Sequence, residues 1–134
     1  MKYLRHLIRK LKYKIKFLNT NSNTKLNYVV NAKNNNQLTK LMNFYGSDKG
    51  GKNNHHNYSE YYSHIFFNKK NSIKKFLEVG LGTNNINLAS NMGADGKPLA
   101  SLRAWRDYFI NAEIYGADID KSILKNEEKI KTFY

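Results

Sequence analysis

The stretch FLEVGLGT (residues 76–83) decides the fold of this 134-residue chain. It is a short, largely apolar run that ends in two glycines, Gly80 and Gly82. Such a run is typical of a buried parallel strand that leads into a loop, where glycine lets the backbone turn sharply and come close to a ligand. We therefore expect a strand here, with Glu78 as its last residue before the turn.

The residues after this stretch continue the alternation of strand and helix. A helix with a buried face is predicted after Pro98, a residue that is tolerated in a first turn. Its apolar positions are Leu99, Leu102, Trp105, Tyr108 and Phe109. A second strand is predicted over AEIYGA (residues 112–117), a helix over Ser122 to Ile130, and the start of a third strand over 129–134. This order predicts an α/β fold, a Rossmann-like parallel sheet with flanking helices that is incomplete, with two to three strands.

Two short helices are predicted before the first strand. One spans Gln37 to Tyr45, with apolar residues at helical spacing, and Gly46 ends it. The other spans Tyr58 to Phe67, and Asn57 or Ser59 could cap it. Its expected buried face consists of Tyr58, Tyr61, Tyr62, Ile65 and Phe66.

The first 36 residues differ in composition from the rest. Residues 1–18 predict a basic amphipathic helix, because leucines and isoleucines recur at three- and four-residue steps with cations elsewhere. Residues 19–36 are rich in Asn and predict a linker, which leaves 37–134 as the N-terminal part of the Rossmann-like domain. The helix suits an anionic membrane surface, a partner helix or the edge of the domain's own core. Nucleic-acid binding is a weaker alternative, since no stacking platform accompanies the cations.

The charge of +13 is unevenly distributed. Ten basic residues and no acid precede Asp48, so residues 1–47 carry +10, while the remaining 13 basic and 10 acidic residues give +3. The absence of cysteine excludes a disulfide framework, a thiolate metal site and a cysteine nucleophile. Neither a signal-peptide core nor an apolar run of about 18 residues can be drawn. We expect a cytoplasmic protein, with peripheral contact to a membrane as a further expectation.

Ligands of open parallel sheets bind beyond the carboxyl ends of the strands. Glu78 could receive an ammonium or hydroxyl group there, and Asp118 stands where an acid accepts two hydrogen bonds from a ribose diol. A dinucleotide site fits poorly, because Asn85 replaces the third glycine and the acid comes 36 positions after Gly82 instead of about 20. An adenosine with a charged amino-acid tail and no phosphate fits better. S-adenosylmethionine is such a ligand.

These motifs resemble those of a known class of enzymes. FLEVGLGT resembles the first motif of class I S-adenosylmethionine-dependent methyltransferases, and IYGADID (residues 114–120) resembles their second. YGSDKG (residues 45–50), the tyrosine pattern that starts at His56-Asn57-Tyr58, and SLRAWRDYF (residues 101–109) are similar to macrolide sugar O-methyltransferases of the mycinamicin and macrocin type. The resemblance covers about residues 38–134.

The resemblance implies methyl transfer from S-adenosylmethionine to a hydroxyl of a small-molecule acceptor, a sugar or a natural product. The implied cofactor-binding residues are Glu78, Gly80, Gly82, Thr83, Asp118 and Ile119, and on an upstream loop Ser47, Asp48 and Lys49. The catalytic base and the carboxylates that hold magnesium in some members lie further along such chains and have no counterpart here. We therefore expect a fragment with no assigned catalytic or metal-binding residue, and magnesium only in a longer form.

Plainer interpretations of the same residues exist. Asp118 and Asp120 would be an ordinary helix N-cap and first-turn acid, and Glu78 would only pair with a nearby Lys. His55 and His56 make a poor metal pair, because neighbouring side chains rarely point to one ion.

Two other functions remain as alternatives. One is a non-enzymatic basic module that binds a membrane surface or another protein, and the other is a dehydrogenase-like nucleotide binder. In every case we expect the unpaired, apolar edge of a two- or three-stranded sheet to make the chain associate.

Overall fold

A computed structural model describes residues 36–52 and 56–134 of the chain. The predicted helix over 1–18 and the linker up to residue 35 lie outside the described residues. The helices are α1 (Gln37–Tyr45), α2 (Tyr58–Phe66) and α3 (Ala100–Tyr108). The strands are β1 (Lys75–Val79), β2 (Glu113–Ala117) and β3 (Ile130–Phe133). The predicted α/β fold with an incomplete parallel sheet is confirmed.

The three strands form one parallel sheet in the order β1-β2-β3. Side chains alternate between its two faces, as the pleat requires. Phe76, Ile114 and Ile130 lie on the face that packs against the hydrophobic core. Leu77 and Val79 lie on the other face and are 59% and 76% exposed. Glu78 is the penultimate residue of β1 and not the last, because Val79 still pairs with Ala117.

α3 supplies the centre of the core. Trp105 and Phe109 are 2% and 0% exposed, and their rings stack with centroids 5.3 Å apart. Phe76 of β1 packs against Trp105 at 4.6 Å. The predicted core role of this helix face is confirmed, although the helix begins at Ala100, since Leu99 before it has a left-handed backbone with φ of +64°.

α1 has the boundaries that its sequence predicts. Asn36 is the N-cap, and its side chain accepts a hydrogen bond from the backbone nitrogen of Thr39 at 2.8 Å. Gly46 ends the helix in a left-handed conformation, φ +80°, as is usual for a C-terminal glycine.

The predicted buried face of α2 is wrong. Tyr58, Tyr61 and Ile65 are 45%, 51% and 52% exposed, while Ser59, Glu60 and Ser63 are buried. The small serines face α1, and the hydroxyls of Thr39 and Ser59 lie 2.8 Å apart. Close approach of the two helices therefore outweighs burial of the aromatic rings. Tyr62 and Phe66 alone of the expected face pack against the core.

The helix predicted over Ser122 to Ile130 is also wrong. A single 3-10 turn, Lys121–Ile123, follows β2, and Ile130 already belongs to β3. The backbones of Glu127 and Ile130 exchange two hydrogen bonds of 3.0 Å, and Lys129 between them has φ of +55°. This tight turn, held by the bonds of Glu127 to Arg103 on α3, leaves no room for a helix.

Within the described ranges, no helix is both long and apolar enough to cross a membrane.

Candidate functional site

A cavity of about 640 Å³ lies beyond the carboxyl ends of β1 and β2. Its volume is within the range of about 300–1,000 Å³ that is typical of small-molecule sites. Predicted site residues from three separate loops line it: Asp48, Lys49, Gly80, Gly82, Thr83, Asp118 and Ile119. Glu78 and Ser47 do not line it. The fold thus brings both strand tips and the upstream loop to one place.

The two glycines of the β1 loop play different structural roles. Both have positive φ, +86° at Gly80 and +77° at Gly82, which L side chains rarely adopt. A Cβ atom at Gly82 would meet the sulfur of Met92 at 2.4 Å, whereas one at Gly80 would meet nothing within 4 Å. Gly82 is therefore needed for packing of the loop that lines the cavity, and Gly80 leaves open space.

Asp118 ties the two strand tips together. Its Oδ2 accepts a hydrogen bond from the backbone nitrogen of Leu81 at 2.6 Å, and its Oδ1 accepts one from the backbone nitrogen of Asp120 at 2.9 Å. A carboxylate offers about four acceptor positions. Two acceptor positions of Asp118 therefore stay available to a ligand in the cavity. The backbone amides of Leu81 and Asp120 already fix the orientation of this carboxylate.

Asp120, two residues further, has a structural role. Its side chain accepts hydrogen bonds from the backbone nitrogen of Ser122 at 2.9 Å, from the Ser122 hydroxyl at 2.6 Å, and from the Thr83 hydroxyl. The hydroxyls of Ser122 and Thr83 hold the pKa of Asp120 below its usual value. Asp120 therefore has the plainer role of a capping acid, because it caps the 3-10 turn Lys121–Ile123. Asp118 does not cap this turn.

Glu78 has three partners within the protein itself. It accepts from the Ser101 hydroxyl at 2.9 Å and from the indole nitrogen of Trp105 at 2.8 Å, and it pairs with the Lys49 ammonium at 3.1 Å. Its side chain is only 10% exposed. The plainer interpretation of Glu78 expected such a lysine partner. The ion pair of Glu78 and Lys49 anchors the upstream loop to β1 and α3.

Lys49 brings a positive charge to the cavity wall. Burial works to lower the pKa of Lys49, but the carboxylates of Glu78 at 3.1 Å and Asp48 at 3.5 Å outweigh it, so the pKa lies above its usual value. Ser47 shapes this loop from outside the cavity, since its hydroxyl accepts from the backbone nitrogen of Lys49 at 3.3 Å. The ammonium therefore stays charged near neutral pH.

Several lining residues were missed from the sequence, above all those of the loop between Leu88 and Met92. Asn84 positions the residues that follow this segment, because its amide nitrogen lies 2.8 to 2.9 Å from the carbonyl oxygens of Gly93, Ala94 and Gly96. In the sequence, this role of Asn84 is indicated only by its position two residues after Gly82. The many other Asn residues of the chain obscure that indication. Tyr134 also lines the cavity.

Among the solved structures that are similar to this chain are three of MycE, a methyltransferase from the mycinamycin biosynthetic pathway. One is a complex with Mg, SAH and mycinamycin VI, and two are crystal forms of a complex with Mg and SAH. Each is 29% identical to this chain, and the match covers 73% of this chain with a TM-score of 0.55.

The chain spans about a quarter of the length of MycE: 24% in two of these structures and 22% in the third. No model of a protein family matches the sequence, and no curated protein does. The similarity to the MycE structures shows that the chain resembles S-adenosylmethionine-dependent methyltransferases in both sequence and fold, as its two strand-tip motifs predict.

Proposed function

We propose that this chain forms the cofactor-binding part of an S-adenosylmethionine-dependent methyltransferase that acts on a hydroxyl of a sugar or natural product. The observation that carries the proposal is the single cavity lined by Gly80, Gly82 and Asp118, in a chain that is 29% identical to MycE. The mycinamycin VI bound in one MycE complex supports a natural product as acceptor. The proposed compartment is the cytoplasm.

The charges of the cavity wall match the parts of such a cofactor. Asp118 has acceptor positions left for the two hydroxyls of a ribose. Lys49 offers a cation to the carboxylate of an amino-acid tail, and Asp48 offers an anion to its ammonium group. The open space at Gly80 allows close approach of the ligand to the backbone. A zwitterionic nucleoside therefore fits better than a pyrophosphate, which would meet two carboxylates.

When bound, the cofactor would supply an electrophilic methyl group. The described residues would hold and orient it, because Glu78 fixes Lys49, and the Leu81 and Asp120 amides fix Asp118 before any ligand arrives. Within the described ranges, no group of three or more acidic or histidine side chains comes together that could hold a metal ion.

Calorimetric titration of the folded chain with S-adenosylmethionine and S-adenosylhomocysteine tests the proposal. Asp118→Asn removes the negative charge and keeps an acceptor oxygen for Leu81. We expect it to weaken binding about tenfold to a hundredfold, because a hydrogen bond to a charged group contributes about 1.5–3 kcal/mol. Asp95→Asn, an exposed acid that does not line the cavity, is the matched control and should bind like the wild type.

Absence of heat and of thermal stabilisation with both ligands would contradict the proposal. Tighter binding of NAD than of S-adenosylmethionine would favour the dehydrogenase-like alternative.

A further inference from the structure

The surface opposite the cavity, at the amino ends of the three strands, combines exposed apolar side chains with cations. Phe67 after α2 is 74% exposed, and Ile110 after α3 is 59% exposed. Around them are four exposed lysines: Lys69, Lys74, Lys75 and Lys129. We call these six residues the basal patch.

Hydrogen bonds join the loops that carry the basal patch. The side-chain nitrogen of Asn111 donates to the backbone oxygen of Asn71 at 3.0 Å, which links the loops before β2 and β1. The Lys129 ammonium donates to the backbone oxygen of Ile110 at 3.0 Å, which links the loops before β3 and β2. These bonds hold the loops before the three strands next to one another.

The charge of this surface is strongly positive. From Tyr61 to Leu77 the chain has four lysines and no acid. Of the acids near the other two loops, Glu127 is bound to Arg103 at 2.7 Å and Glu113 lies 3.8 Å from Lys131. Glu128, next to Lys129, is exposed and is one acid against the four lysines of the patch. The lysines of the patch consequently face solvent with little local neutralisation, in contrast to the paired Lys49 of the cavity.

The start of α1 lies beside the same patch. Lys70, next to the patch residue Lys69, donates to the Gln37 side chain at 2.7 Å, which places the start of α1 there. A cavity of about 500 Å³, whose lining includes Asn36 and Phe67, opens at this point. Residues 1–35 contain nine basic residues and no acid.

We propose that the basal patch binds an anionic membrane surface. Phe67 and Ile110 enter the headgroup region, and the lysines contact the lipid anions, so that the cavity at the other end of the sheet faces away from the bilayer. Exposed apolar side chains among cations are the combination that such surfaces bind, through apolar burial together with electrostatic attraction. The inference does not depend on the proposed methyltransferase function.

Co-sedimentation of the full chain with vesicles tests the charge of the patch. The vesicles are phosphatidylcholine, with or without phosphatidylserine. Lys69→Gln combined with Lys74→Gln should lower binding to the anionic vesicles at least about tenfold, because each lysine near an anionic surface contributes about fivefold. The matched control, Lys97→Gln combined with Lys121→Gln, removes the same charge from exposed lysines on the cavity side and should change binding less than about twofold.

Equal losses in both pairs, no loss in either, or equal binding to neutral vesicles would overturn the proposal. So would patch-dependent binding to a short DNA duplex that is tighter than binding to the anionic vesicles.

The orientation has its own test. Phe67→Trp in the full chain should show a blue-shifted emission and quenching by brominated lipids in anionic vesicles. The control is Ile86→Trp, at a side chain that is 75% exposed in the loop after β1, and it should remain unquenched. The native Trp105 is 2% exposed and is common to both variants. Equal quenching of both variants, or quenching of the Ile86 variant alone, would contradict the assigned face.

Discussion

At the scale of single residues, Gly82 is required for two reasons: its backbone is left-handed, and Met92 leaves no space for a Cβ. Gly82→Ala would place a Cβ 2.4 Å from the Met92 sulfur at a backbone φ of +77°. We expect a loss of unfolding free energy of about 2–5 kcal/mol, from the left-handed backbone, about 1–2 kcal/mol, and from overpacking, about 1–3 kcal/mol. Urea unfolding followed by circular dichroism measures this loss.

Gly93→Ala is the control that separates the two causes. Gly93 has nearly the same φ, +71°, but open space where a Cβ would lie, so only the backbone term of about 1–2 kcal/mol should appear. Equal losses in the two variants would show that the contact with Met92 does not constrain the loop.

At the scale of elements, Arg103 and Glu127 connect α3 to the turn before β3. Their side chains form two hydrogen bonds, of 2.7 and 3.0 Å. These bonds hold the pKa of Glu127 below its ordinary value of 4.5, so their stabilisation is present above that pH and is lost as the pH falls through the lowered pKa. At neutral pH, Glu127→Gln should cost about 1–2 kcal/mol. The difference from the wild type in urea unfolding should shrink below about pH 4.

Glu128→Gln, an exposed neighbour, serves as the comparison and should cost less than about 0.5 kcal/mol at neutral pH. A cost of Glu127→Gln that is the same at neutral and acidic pH would show that the charge of the carboxylate does not matter to this turn.

At the scale of the whole molecule, the described residues leave one face of the sheet without a covering element. Leu77, Val79 and Phe133 on that face are 59%, 76% and 50% exposed. Because β1 and β3 are both edge strands, apolar burial and strand pairing both favour association. Leu77→Lys combined with Val79→Lys should shift the chain toward monomer in sedimentation velocity. The control Ile86→Lys, outside the sheet, should leave the distribution unchanged, and a wild type that is monomeric at high concentration would contradict the prediction.

The elements that the sequence predicts best are those with local causes. β1 with its glycine turn and the cap at Gly46 depend on apolar runs and glycines whose effects act over a few residues. The buried face of α2 and the segment after Asp120 were predicted wrongly because distant partners decide them. Thr39 brings α1 close to the serines of α2, and Arg103 on α3 holds the turn at Glu127.

The sequence by itself determined the strands β1 and β2 with the helix between them, the glycine turn after β1 and the acid that follows β2, since each depends on contiguous residues. Only the tertiary structure decided that Glu78 binds Lys49 and Trp105 instead of lining the cavity, and that Asn84 holds the loop opposite. These contacts join residues that are distant along the chain or that belong to irregular loops. Their geometry exists only once the sheet and α3 have packed together.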